Sequence, residues 1–132
     1  MLRQRVALTR GDRRLTGQEI GAWGERIARE FLWAQGCKVL YRNFRAPQGG
    51  EVDLVAREGK FLCFVEVKTR TRKGEGRPAE AVDKTKQELI ERGAREWLRL
   101  LNKKEVPCRY DIIEVLLLEG EKPEIHYLRN AF

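Results

Sequence analysis

Between Thr16 and Gly36 apolar side chains return every three or four positions, at Ile20, Trp23, Ile27, Phe31 and Ala34. That spacing lines one side of an α-helix, and Thr16 followed by Glu19 forms the capping box that opens it. Gly36 ends the run. Lys38 to Arg45 then alternates loosely, Glu51 to Arg57 and Lys60 to Thr69 read as strands, and Glu58-Gly59 supplies the turn between them. A second stripe, Val82, Leu89, Ile90, Gly93, Trp97 and Leu101, predicts an amphipathic helix over Ala79 to Leu101. Tyr110 to Leu118 is strongly apolar, its run Ile112, Ile113 and Val115 to Leu118 predicting a central strand with little access to water, and Ile125 to Leu128 predicts a short last strand. The order is αβββαββ, an α/β class.

At 132 residues the chain has room for one domain, expected over 16–132, preceded by a basic segment over 1–15. That segment carries Arg3, Arg5, Arg10, Arg13 and Arg14 with little periodicity and reads as a flexible arm, solvated or gripping phosphate. Apolar residues make up 42% and charged residues 36%, the balance of a folded chain with a modest core. The formal charge of +7 favours a polyanionic partner, nucleic acid before an anionic membrane. No stretch approaches the roughly 20 apolar residues of a membrane-spanning helix, and Met1 to Arg14 lacks the apolar middle of a secretory signal. A cytoplasmic location follows as the expectation. Cys37, Cys63 and Cys108 are odd in number and far apart, so neither a disulfide framework nor a CxxC knuckle forms. With His126 as the only histidine, chemistry must rest on carboxylates and lysines.

Strict strand alternation sends Glu51 and Asp53 to one side of the sheet and Val52 and Leu54 to the other. The same parity brings Glu66 and Lys68 together, opposite Val65 and Val67. A short hairpin joins the two strands, so acids and lysine can converge. Crowded carboxylates repel unless a cation lies between them, and hard oxygens suit Mg²⁺ or Mn²⁺. An exposed hairpin with cross-strand pairs is the plain alternative. Gly49-Gly50 leaves room for a ligand, as it would for an ordinary turn. Glu25 lies at the margin of the first apolar stripe, beside Gly21 and Ala28, or on a solvated face. Lys86 interrupts the second stripe, so it either snorkels outward or faces the acids. Arg70, Arg72, Lys73 and Arg77 form a flexible basic loop suited to phosphate contacts without base recognition. Trp23 and Trp97 belong in a core; Trp33 is open to either packing or base stacking.

An acid on the first helix, an acid on the second strand and an acid-any-lysine triplet on the third resemble the signature of the PD-(D/E)XK, or restriction-endonuclease-like, nuclease superfamily. Gly24-Glu25, Gly50-Glu51-Val52-Asp53-Leu54, Phe64-Val65-Glu66-Val67-Lys68-Thr69-Arg70, Val82-Asp83 with Lys86, and Arg109-Tyr110-Asp111 are similar to the YraN-like bacterial family, from about Gly17 to Leu118. The resemblance implies a mixed central sheet flanked by helices. It implies Asp53 and Glu66 as metal ligands, with the Val67 carbonyl as a third and Glu25 completing or tuning the set. It places Lys68 beside the attacking water and Lys86 on a phosphate oxygen. Glu51 would bind a second metal or hold an arginine, and Asp111 would partner Arg109 or a helix, with catalysis as the alternative. The implied activity is a Mg²⁺- or Mn²⁺-dependent endonuclease on structured DNA, of junction-resolvase or repair type, with DNA ahead of RNA. A homodimer follows by analogy with enzymes that make two cuts. A non-catalytic nucleic-acid-binding or adaptor protein on the same scaffold is the alternative from another class. A membrane-surface protein lacks the free amphipathic helix it would need.

Overall fold

The computed structural model describes residues 2–74, 82–102 and 105–132. A small hairpin of β1 (Thr9–Arg10) and β2 (Arg13–Arg14) precedes α1 (Gly17–Ala34), β3 (Lys38–Arg45), β4 (Glu51–Glu58), β5 (Phe61–Arg70), α2 (Lys84–Leu100), β6 (Cys108–Leu116) and β7 (Glu124–Leu128). After the hairpin the expected αβββαββ order holds. The five large strands form one sheet in sequence order, antiparallel except for the parallel pair β5 and β6. A parallel pair cannot close through a tight turn, and α2 is the crossover that joins it.

Both faces of the sheet are covered. On one, Ile27, Ala28 and Leu32 of α1 pack on Leu54, Val65, Ile113 and Val115. On the other, Ile90 and Ala94 of α2 pack on Val55, Phe64 and Ile112. This double cover explains why β6 is buried from Asp111 to Leu116, with apolar residues at every position except the buried acids Asp111 and Glu114. The capping box of α1 is present, with Thr16 and Glu19 each accepting from the other's backbone N–H.

Three expectations need correction. The second helix starts at Lys84, because the Asp83 side chain accepts from the Lys86 amide at 2.8 Å and sets the N-cap there; Val82 is buried just before it. The predicted start over Ala79 lies outside the described residues. The N-terminal segment is not a loose arm. Val6 and Leu8 enter the α1-side core, the Val6 amide donates to the Glu121 carbonyl at 2.7 Å, and the Gly120 amide donates to the Val6 carbonyl at 2.8 Å. Two inward positions among five arginines are too weak a pattern to outweigh the charge. Finally, strict alternation fails along β4. Val52 packs on the α2 side and Leu54 on the α1 side. The break faces Asn43 of β3, which has a φ of 53° and lies between the pairs Arg42↔Leu54 and Phe44↔Val52.

Candidate active site

Strands β4 and β5 pair from Glu58↔Phe61 as far as Leu54↔Val65 and then part, although β4 extends back to Glu51 and β5 on to Arg70. Beyond the fork, β5 pairs with β6, from Glu66↔Ile112 to Arg70↔Leu116. Asp53 sits in the split. Its Oδ2 accepts from the Val67 amide at 2.9 Å, so a side chain takes the place of the missing ladder bond. Val65 and Val67 both belong to the α1-side core, which turns Glu66 toward α2 as parity predicts.

Glu66 is 3% exposed, and its Oε2 makes no hydrogen bond among the described residues. Lys86 Nζ lies 3.4 Å from that oxygen, at ion-pair distance, and donates a hydrogen bond to Glu51 Oε1. Burial, a hydrogen bond shared with Asp53 and the Asp53 charge push the Glu66 carboxyl up to about 8, against the opposing charges of Lys86 and Lys68. Burial and the same Asp53 charge raise Glu25, while Arg29, Asn43 and Arg42 oppose the rise. Glu51 moves the other way, held low by its hydrogen bond from Lys86 against its own desolvation. Burial alone would lower Lys86; Glu51, Glu66 and Asp53 together outweigh it, and the ammonium stays charged.

Glycines deliver these side chains. A Cβ on Gly24 would lie 1.8 Å from Thr69 Oγ1, so α1 rests directly on β5 and presents Glu25, the next residue, to Asp53. Gly50 has a φ of 106°, and its Cβ would lie 2.6 Å from the Gly93 amide of α2. The space expected there for a ligand is therefore taken by the helix, and this contact brings Lys86 of α2 over Glu51.

The predicted set Glu25, Asp53, Glu66, Lys68 and Lys86 thus shares one electrostatic neighbourhood. Among the described residues no three acidic, Cys or His side chains are arranged to hold a metal ion by themselves. Asp53 and Glu66 form the close pair; Glu25 joins them through charge. The Val67 group engaged here is its amide. A buried carboxylate oxygen with no hydrogen bond among the described residues, in ion-pair contact with Lys86 and beside a second carboxylate, fits a hard divalent cation in its donor chemistry.

Other predicted residues have different surroundings. Arg70 is drawn inward, with Nε 3.3 Å from Glu114 Oε2 and its side chain 10% exposed, so it is removed from the phosphate-contact set. Arg72 and Lys73 are exposed, while Arg77 lies outside the described residues. Asp111 is fully buried and accepts from Arg109 Nε at 3.1 Å, Tyr127 OH at 2.6 Å and the Asn130 amide at 2.9 Å, a structural tie between β6 and the C-terminal segment. Trp23 and Trp97 pack against the two cores, whereas Trp33 is exposed. Cys37 and Cys63 are buried free thiols and Cys108 is exposed. Sequence reasoning missed Asn43 and Arg29 beside Glu25; a turn-forming Asn inside a strand was the available signal for the first. Among the described residues no helix is long and apolar enough to cross a membrane.

Comparison with known proteins agrees with the motifs. The model of the Uncharacterised protein family UPF0102 matches residues 24–115. A UPF0102 protein of Rhodococcus opacus is 43% identical over 113 residues, covering 86% of this chain and 95% of that one. One of Chlorobaculum tepidum is 42% identical over 120 residues, covering 87% and 92%. One of Geobacter sulfurreducens is 42% identical over 113 residues, covering 86% and 88%. The matched span contains Glu25, Asp53, Glu66, Lys68 and Lys86, and the chain belongs to the UPF0102, or YraN-like, family.

Proposed function

We propose that this protein is a divalent-metal-dependent nuclease acting on structured nucleic acid, DNA before RNA, with Asp53 and Glu66 at its centre. The observation that carries the reading is Glu66, a carboxylate 3% exposed whose Oε2 has no hydrogen bond among the described residues and which shares its surroundings with Asp53. Burying like charges together is unfavourable, and a cation between them offsets the repulsion. Asp53 and Glu66 would hold Mg²⁺ or Mn²⁺, with Glu25 and the Val67 carbonyl as the further candidates. Such an ion supplies Lewis acidity at a phosphodiester and lowers the pKa of water.

The chain's own residues do the rest. Asp53 is oriented by the Val67 amide, so its second oxygen keeps a defined direction. Lys68, two residues beyond Glu66 on β5, adds positive potential where charge develops on the phosphate. Lys86 holds Glu51 and Glu66 in register and offers its ammonium to a phosphate oxygen in competition with Glu51. Arg72 and Lys73, exposed at the end of β5, contribute contacts to the polyanion.

The alternative reading is a non-catalytic nucleic-acid-binding or adaptor protein on the same scaffold. One experiment separates the two. Purified protein is incubated with branched, duplex and single-stranded DNA and RNA, in Mn²⁺ or in EDTA, beside Asp53→Ala and Glu66→Ala. Cleavage that requires the ion and is abolished in both variants, with binding retained, supports the nuclease. Tight binding with no product in any condition selects the adaptor.

A further inference from the structure

Along α1 beyond Glu25, the C-terminal half of the helix and the start of β3 enclose an open groove of about 950 Å³, and its Arg29 also contributes charge at Glu25. Arg26, Arg29 and Trp33 stand at helical spacing along one side of α1, and Arg3 and Lys38 complete the rim. Trp33 is 80% exposed, far more than either other tryptophan, so core packing does not account for it. Arg29 Nε is buried and has no hydrogen-bond partner among the described residues. Four cations face one acid, Glu30. Two copies of a chain with a formal charge of +7 would bring like charges together here, which disfavours self-association through this groove.

An exposed indole among arginines on an apolar floor of Leu2 and Val39 meets the chemistry of an unpaired nucleotide strand. Phosphates take the guanidinium groups, and a splayed base covers the ring. A duplex keeps its bases stacked on each other and offers Trp33 no free face. We propose that this groove binds a single-stranded polynucleotide, with a base stacked on Trp33 and the neighbouring phosphates held by Arg3, Arg26, Arg29 and Lys38. The site stands independently of any cleavage by Asp53 and Glu66, and it gives a branched substrate's unpaired arm a place to lie.

The test is fluorescence anisotropy in EDTA, where no cleavage competes, using fluorescein-labelled oligothymidylate of about 12 nucleotides and a hairpin duplex of similar charge. Trp33→Ala is expected to weaken strand binding roughly tenfold and Trp33→Phe by no more than about threefold, with duplex binding unchanged. Oligouridylate in parallel identifies whether RNA shares the site. Circular dichroism checks that the exposed substitution leaves the fold intact. Unchanged strand affinity in Trp33→Ala, an equal loss on strand and duplex, or a concentration-dependent dimer that the substitution dissolves would each overturn the proposal.

Discussion

At Glu66 folding buries a carboxyl against Asp53 and leaves Oε2 without a hydrogen bond among the described residues, an arrangement that works against the metal-free protein. Glutamine keeps the shape, cannot ionise and can donate to Asp53. Glu66→Gln is therefore expected to raise stability in EDTA by about 1–2 kcal/mol, or roughly 3–8 °C in Tm, while Mn²⁺ raises the Tm of the parent alone. Calorimetry with and without the ion checks both halves, and a lower Tm for the variant in EDTA would count against crowding at this residue. Glu58 behaves in the opposite sense. Hydrogen bonds from Arg129 and Arg109 hold its carboxyl down to about 2, below its unfolded value, so its stabilisation is complete above the unfolded pKa and disappears as pH falls through the folded one. Thermal melts between about pH 5 and pH 2 should show a steeper loss for the parent than for Glu58→Gln. Much of the site was legible at this scale. Glu66 and Lys68 share a face because the pleat alternates, and Lys86 stood out as a charge in an apolar stripe. Asp53 was placed correctly beside Glu66 for an incomplete reason, since a period of two presumes an unbroken pleat and Asn43 with its left-handed φ marks where that pleat fails.

Helix and strand approach closely at two helix glycines, Gly24 of α1 against Thr69 of β5 and Gly93 of α2 against β4, and these contacts fix how the elements deliver the site. A Cβ on Gly93 would lie 2.9 Å from Val52 Cγ2 and 3.0 Å from the Glu51 amide, both in β4. Intrinsic helix preference favours Gly93→Ala by about 1 kcal/mol, yet overpacking of about 1–3 kcal/mol acts against it. Net destabilisation is expected in urea titration, together with weaker coupling between Lys86 and Glu51; a gain in stability would show that α2 can move outward freely. Hydrophobic spacing was enough to find both helices and the five large strands, because each helix buries one stripe and the central strands, covered on both faces, are rich in consecutive apolar residues. It did not find where α2 begins. That boundary depends on a single cap, the Asp83 carboxylate on the Lys86 amide, and apolar periodicity carries no information about it.

Across the whole molecule, the N-terminal segment contributes to the fold despite its charge. Val6 and Leu8 are buried, and the backbone of Val6 bonds to residues 120 and 121 beyond β6. Deleting residues 1–8 is expected to cost about 2–5 kcal/mol, read as a lower urea midpoint with little change in slope. An unchanged midpoint would return the segment to the role of a solvated arm. The single parallel pair, β5 with β6, has a consequence for the order of assembly. β3, β4 and β5 are neighbours in the chain and can zip through short turns, whereas β6 joins β5 only after α2 has crossed over. A nascent chain therefore carries Asp53 and Glu66 well before the lysine that steadies them has docked, and maturation of the pocket waits on the last long-range closure.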